Sequence, residues 1–242
     1  MNRSDLRTET RRLIKDTSTD TNRQRWSDTD LNSRIKLAQE DLVSRTSCLV
    51  SRGAAINIVA DTTEYDLPTG FLHAIYVAYK DIDGDYIKLE PITLEELELY
   101  NGDWENTTSS EPTHYYLRLG SGKIGLYPTP TVAVTSGLRI DFVKKPTAFS
   151  NDTTEALDAA SHLSPFHEYL CYYVAHLCKL DEGNLMEANI FQMKYLEGIR
   201  DTRARIAEQF ETGVPRMMNI YEIARMRGHR VTGYSTNPFR RT

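Results

Sequence analysis

Ser164-Pro-Phe-His-Glu-Tyr-Leu-Cys-Tyr-Tyr-Val-Ala-His-Leu-Cys-Lys-Leu180 decides the fold. Eleven of the fifteen residues from Phe166 to Leu180 are apolar, at a length suited to a helix rather than a strand. Ser164 is a capping residue and Pro165 suits the first helical position. A helix apolar nearly all round must be covered on most sides, with a neighbouring subunit as one source of that cover. Gly183 breaks it. A second helix, about 185–211, follows and is expected to bury Met186, Ile190, Met193, Leu196, Ile199, Ile206 and Phe210. Its other face carries Glu197, Arg200, Asp201, Arg203 and Arg205, with Asp201 and Arg205 spaced as an i,i+4 pair.

The remaining cover lies more than a hundred residues earlier. A first helix at about 4–16 has a thin stripe of Leu6, Leu13 and Ile14. After a polar linker, Trp26-Ser-Asp-Thr-Asp-Leu31 is a sharp helix start: Ser27 caps, Asp28 and Asp30 sit at the positive end of the dipole, and Trp26 and Leu31 hold the staple positions. Leu31, Ile35, Ala38, Leu42 and Leu49 continue one apolar stripe, interrupted at Arg45, up to Gly53.

The stretch between the two helical parts reads as strands. Ala55–Val59 and Glu64–Leu67 precede the turn Pro68-Thr-Gly70, and Phe71–Lys80 with Asp85–Glu90 predicts a hairpin around Asp83-Gly84. Thr93-Leu-Glu-Glu96 is a capping box for a short helix over 94–101, with Ile92 and Leu97 as staple. Asn101–Thr113 reads as polar loop. Tyr115–Leu119 and Lys123–Tyr127 flank Gly120-Ser-Gly122, and Leu138–Lys144 is a last strand. A loop over 146–163 has a helical turn near Glu155–Ala160. The expected class is α+β: a helical bundle built from N- and C-terminal helices, an inserted antiparallel β domain of sandwich or barrel type, and an extended C-terminal arm. The boundaries are 1–53 and 151–212 for the helical core, 54–150 for the β domain and 213–242 for the arm. An open sheet is the alternative for the β domain.

Composition narrows the function. With 40% apolar and 26% charged residues the chain is of globular type. No run of eighteen apolar residues suggests a membrane span, and the N-terminal residues lack a secretory h-region. Cys48, Cys171 and Cys178 form no CxxC pair and lie in apolar contexts, as expected of reduced buried thiols in a protein made in a cytoplasm. The net charge is −5 and uneven: from 213 onward six arginines meet one acid, Glu222, so the arm is +5 and residues 1–212 carry −10. An acidic body argues against tight wrapping of nucleic acid.

No chemical motif survives inspection. Asp81–Glu90 imitates a calcium loop, but loop position six is Tyr86 and position twelve is Ile92, so it reads as a turn. His167-Glu-Tyr-Leu-Cys171 imitates HExxH with cysteine in place of the second histidine, and His176 falls on the opposite helical side from His167. Gly120-Ser-Gly122 lacks the strand–loop–helix setting of a phosphate cradle. No catalytic, cofactor-binding or metal-binding residue is assigned, and no enzymatic activity is expected. Most of the fourteen tyrosines read as half-buried on strands and on the helix at 166–180.

The arm mixes apolar anchors Met217, Met218, Ile220, Tyr221, Ile223, Met226, Tyr234 and Phe239 with Arg225, Arg227, Arg230, Arg240 and Arg241. That mixture suits a segment that folds onto a partner protein. Arginines with Tyr and Phe also suit nucleic acid, against which the methionines and isoleucines argue.

Taken in order, Arg25-Trp-Ser-Asp-Thr-Asp-Leu31, Thr63-Glu-Tyr-Asp-Leu-Pro-Thr-Gly-Phe71, Leu89-Glu-Pro-Ile-Thr-Leu-Glu-Glu-Leu97, Ile124-Gly-Leu-Tyr-Pro-Thr-Pro130 and Leu163-Ser-Pro-Phe-His-Glu168 resemble the head-to-tail adaptor (connector) proteins of tailed bacteriophages, especially short-tailed ones. The resemblance covers about 1–210. It implies a virion structural protein at the head–tail junction, made in the host cytoplasm. Its partners would be the portal protein, further copies of itself in a twelve-fold ring, and tail nozzle or tail-fibre proteins. Duplex DNA would only pass through the lumen, and the C-terminal arm would dock into the portal. The acidic body fits a conduit that does not hold DNA. A nucleic-acid- or carbohydrate-binding β module is the competing class.

Overall fold

The computed structural model describes residues 1–211 except 19, 21, 22 and 82. The arm residues Met217, Met218, Ile220, Tyr221, Arg225, Arg227, Arg230, Tyr234, Phe239, Arg240 and Arg241 lie outside the described residues. Two compact units divide at Arg203 and Ala204. The first holds the fold described below; of the second, the described part is the end of the last helix, Ala204–Glu211.

The class is α+β, as the sequence predicts. Helices α1 (Arg3–Ile14), α2 (Asp28–Thr46), α4 (His167–Asp181) and α5 (Leu185–Glu211) come from the two ends of the chain. Between them the described residues form ten strands and the short helix α3 (Leu94–Tyr100). Both α1 and α2 lie against α4. Leu6 and Ile14 of α1, Leu31, Ile35, Ala38, Leu42 and Val43 of α2, and Leu170, Cys171, Val174, Ala175 and Cys178 of α4 are all buried. The cover that α4 requires thus comes from within the chain. The predicted cap at Ser27 is present, its Oγ accepting from the Asp30 amide at 3.1 Å.

Two helix boundaries differ from expectation. α2 stops at Thr46 because Ser47 takes the left-handed conformation (φ 55°) and its N–H returns to the Val43 carbonyl. Gly53, expected to end the helix, instead bends strand β1 (Val50–Ile58), where pairing with the strand Val134–Lys144 shifts between Ser51 and Ala54. At the other end, Ser164 and Pro165 lie in a 3₁₀ turn, Ser161–Phe166, with no side-chain cap, and the α-helix proper begins at His167.

The strands form two four-stranded sheets, ordered β1-β10-β3-β4 and β2-β8-β7-β5. Here β2 is Glu64–Asp66, β3 Phe71–Lys80, β4 Tyr86–Lys88, β5 Glu90–Pro91, β7 His114–Arg118, β8 Lys123–Tyr127 and β10 Val134–Lys144. Ile58, Val77, Tyr79, Leu138, Ile140 and Phe142 of the first sheet share one apolar cluster with Tyr65, Ile124 and Leu126 of the second, which makes a sandwich rather than an open sheet. The predicted capping box at Thr93 and Glu96 starts α3. Leu97 of α3 joins Trp104, Tyr116 and Tyr127 in a second cluster that covers the outer side of the second sheet.

The expected loop over 101–113 is therefore partly core. Trp104 stands edge-on to Tyr116 at 5.5 Å, and β6 (Thr108–Ser109) pairs in parallel with β9 (Thr129–Pro130). A large aromatic in a polar stretch finds cover that its sequence neighbours do not announce. Nor is the pairing wholly antiparallel, since β5 also runs parallel to β7.

The sandwich returns to the helical core through a strained turn. Leu157, Asp158 and Ala159 are all left-handed, with φ of 52°, 55° and 56°. Such residues persist only where surroundings hold them. Here the Leu157 N–H donates to Gln39 Oε1 of α2 at 2.8 Å, and Asp158 accepts from the Thr147 amide and pairs with Lys144 of β10. Lys145 adds an ion pair to Glu40 of α2 at 3.1 Å.

Candidate assembly surface

The long helix α5 is rotated relative to its predicted orientation. Ile199 is buried as expected, but Met186, Ile190, Met193 and Leu196 face outward, and Ala188, Tyr195 and Thr202 are buried instead. The cause is the aromatic side of α4. Tyr195 packs on Tyr173 with centroids 4.8 Å apart, and Phe191 stacks on Tyr172 at 6.4 Å. Tyr169 lies against the bare backbone of Gly198, where a Cβ would stand 2.2 Å from the ring. Tyr195 Oη donates to Asp41 of α2 at 2.7 Å, and Arg203 donates twice to the Arg45 carbonyl. Burial, then the Asp41 hydrogen bond, pushes the Tyr195 hydroxyl well above its usual range. Aromatic area and satisfied hydroxyls outweigh the aliphatic stripe for the inner side. Phe191, Tyr195, Gly198 and Thr202 recur at helical spacing, so the signal was in the sequence, with Gly198 marking the close approach.

Three of the flanking charges of α5 are engaged within the chain. Glu187 pairs with Lys179 at 3.1 Å, Lys194 sits 4.9 Å over the Tyr172 ring, and Asp201 accepts from Tyr169 at 2.9 Å. Burial, then the bond to Asp201, raises the Tyr169 hydroxyl to about 12. What remains outward is an apolar ridge between polar margins.

The residues weighed for chemistry have structural roles. Asp81 and Asp85 close the β3–β4 hairpin: Asp81 N–H donates to the Asp85 carbonyl, and Asp85 N–H to Asp81 Oδ1. Gly122 is left-handed after the 3₁₀ turn Leu119–Ser121, so the Gly120-Ser-Gly122 segment is a turn. Cys48, Cys171 and Cys178 are free and buried. Burial pushes the Cys171 thiol up to about 12 and that of Cys178 to about 11, out of reach of thiolate chemistry at neutral pH. Among the described residues no group of three His, Cys, Asp or Glu side chains could hold a metal ion. Nor is any described helix long and apolar enough to cross a membrane. Tyr65, Tyr79, Tyr116, Tyr127 and Tyr195 are core residues, so much of the tyrosine content serves packing.

His167 has a strongly perturbed setting. It is buried at the start of α4, its Nδ1 is 2.6 Å from the Met1 amino group, and its Nε2 meets no partner. Burial, then the nearby amino charge, lowers it to about 4. The folded protein holds His167 neutral while the unfolded chain protonates it near pH 6.5, so the unfolded state binds more protons between those values. Stability is full above pH 6.5 and falls as pH drops toward 4. About 2 kcal/mol should be lost between pH 7 and pH 5 by this residue alone. Urea unfolding at the two pH values measures it, and His167→Phe should flatten the difference. An equal pH slope in both proteins would remove His167 as the cause.

The family model described as SU10 adaptor protein matches residues 1–219. The chain belongs to that family, and with it to the bacteriophage adaptors that the order of its motifs resembles. It is accordingly a structural component of the virion, associated in general with portal and tail proteins. No curated protein matches the chain.

Proposed function

We propose that this adaptor docks as a closed ring of copies, twelve by the resemblance, beneath the portal of a short-tailed phage. The ring continues the DNA channel and offers its far side to tail nozzle or tail-fibre proteins. The observation that carries this reading is the family match over 1–219, on a chain whose helical ends enclose a β-sandwich. The helical core of 1–53 and 151–212 forms the ring body, the β domain of 54–150 projects from it, and 213–242 is the portal-docking arm. The charge of −10 on residues 1–212 supports a channel that repels the DNA backbone rather than gripping it. The role is mechanical, with no turnover. Co-sedimentation of the full chain with assembled portal rings tests it: binding is expected to saturate at one adaptor per portal subunit. Retention on duplex DNA at physiological salt without portal binding would favour the nucleic-acid module instead.

A further inference from the structure

Asn101-Gly102 is the single Asn-Gly pair in the chain, and it joins α3 to the turn that seats Trp104. That dipeptide carries its own chemistry. The Gly102 nitrogen, unhindered by a side chain, can lose its proton and attack the Asn101 side-chain carbon Cγ. An imide ring forms, and the amide nitrogen leaves as ammonia. Water then opens the ring at either carbonyl. The products are aspartate and isoaspartate, in which the chain runs through Cβ. Nothing is oxidised or reduced, and water is the co-reactant. Gly102 is exposed, with nothing within 4 Å of where a Cβ would stand, so water reaches the pair.

The fold holds this pair away from reaction. The ring needs the Gly102 nitrogen on the same side of the Asn101 Cα–C bond as Cβ, and the ψ of 105° at Asn101 puts it on the opposite side. The amide is also pinned. Asp103 N–H donates to its Oδ1 at 3.1 Å, so its Nδ2 faces the other way and donates to Thr107 Oγ1 at 2.7 Å and to Tyr127 Oη at 3.2 Å. The backbone is fixed on both sides: Asn101 N–H donates to the Leu97 carbonyl, and the Asn101 carbonyl accepts from Trp104 N–H. Trp104 and Tyr127 are buried, so Asn101 cannot turn without disturbing their cluster with Leu97 and Tyr116.

We propose that Asn101 is a guarded self-modification site. With residues 94–107 seated the pair is inert; when that segment opens, the chain converts Asn101 to aspartate or isoaspartate with no partner enzyme. The step does not reverse, because the ammonia is lost. Neither product fits the native seat. Aspartate gives up both Nδ2 donations, and the Thr107 hydroxyl, which donates to the Asp103 carbonyl, presents only lone pairs to the new carboxylate. Isoaspartate lengthens the backbone by a methylene group between the bonds to Leu97 and Trp104. Each chain thus keeps a record of time spent open, and a modified chain reseats poorly. The inference does not rest on the adaptor reading.

Peptide mapping by mass spectrometry of the full chain, incubated at neutral pH with and without urea, tests this. The amide-to-acid mass shift at Asn101 is expected to appear at least about tenfold faster in urea, since reaction in the native protein waits on opening. The double variant Thr107→Val/Tyr127→Phe removes both acceptors of Nδ2. It should speed the native reaction at least about threefold and leave the rate in urea unchanged. Gly102→Ala should slow the reaction in urea, because a Cβ hinders the attacking nitrogen. Equal wild-type rates with and without urea overturn the guard, as does a folded double variant that reacts as slowly as the wild type. A urea-unfolded chain that forms no acid at Asn101 overturns the site itself, as does a Gly102→Ala chain that reacts in urea as fast as the wild type. The wild-type comparison needs no variant, so it decides even where the double variant does not fold.

Discussion

Removing residues 213–242 is expected to leave the body folded and to weaken portal binding by at least about a hundredfold, roughly 3 kcal/mol. The reason lies in the composition of that segment. Met217, Met218, Ile220 and Tyr221 would each contribute roughly 1.5–3 kcal/mol on full burial, against several kcal/mol for ordering the segment. Arg225, Arg227, Arg230, Arg240 and Arg241 would meet acids on the portal and govern the rate of encounter more than the final affinity. Neutralising those five arginines should therefore slow association and reduce its salt dependence, while replacing the four anchors should speed dissociation. Surface plasmon resonance on immobilised portal separates the two effects. Unchanged affinity of the truncated protein would remove the arm as portal anchor and make DNA its next candidate partner.

Gly125→Leu should cost more stability than any surface change in the sandwich, about 3–5 kcal/mol. Gly125 on β8 stands directly opposite Tyr116 on β7, and the tyrosine ring lies across it. A Cβ built at Gly125 would be 2.0 Å from Tyr116 Cζ, so the ring would have to leave. That ring is buried, holds Trp104 edge-on, and donates from its hydroxyl to Glu64, which in turn pairs with Arg118. Burial, then the Glu64 charge, raises the Tyr116 hydroxyl to about 12, in keeping with a group that stays protonated where it is. Gly120→Ala is the control: nothing lies within 4 Å of its Cβ, so its effect should stay within about 0.5 kcal/mol. Denaturant unfolding followed by Trp104 fluorescence reports both. A Gly125→Leu protein as stable as the control would contradict the packing described.

The features legible in the sequence are those fixed by neighbours along the chain. The Ser27 cap and the Thr93–Glu96 box depend on residues three apart. Strands Phe71–Lys80 and Lys123–Tyr127 are bounded by turn residues that the eye can find. What escaped depends on distant partners. The rotation of α5 follows from Tyr169, Tyr172 and Tyr173 on another helix, and the burial of Trp104 from Tyr116 on a strand. The end of α2 at Ser47 defied a reading in which Leu49 continued the helical stripe: Leu49 is buried, but from extended chain beside β10. The arm, the part most open to reading as a binding element, lies wholly outside the described residues and remains a proposal from composition.

Copies of this chain are expected to close a ring on a portal. Electron cryomicroscopy of the full-length protein bound to its assembled portal measures this directly. The expected result is a continuous ring coaxial with the portal, with twelve copies, a DNA-wide lumen and density from each C-terminal arm entering the portal. A single adaptor copy per portal, or an open arc with no central channel, would contradict it.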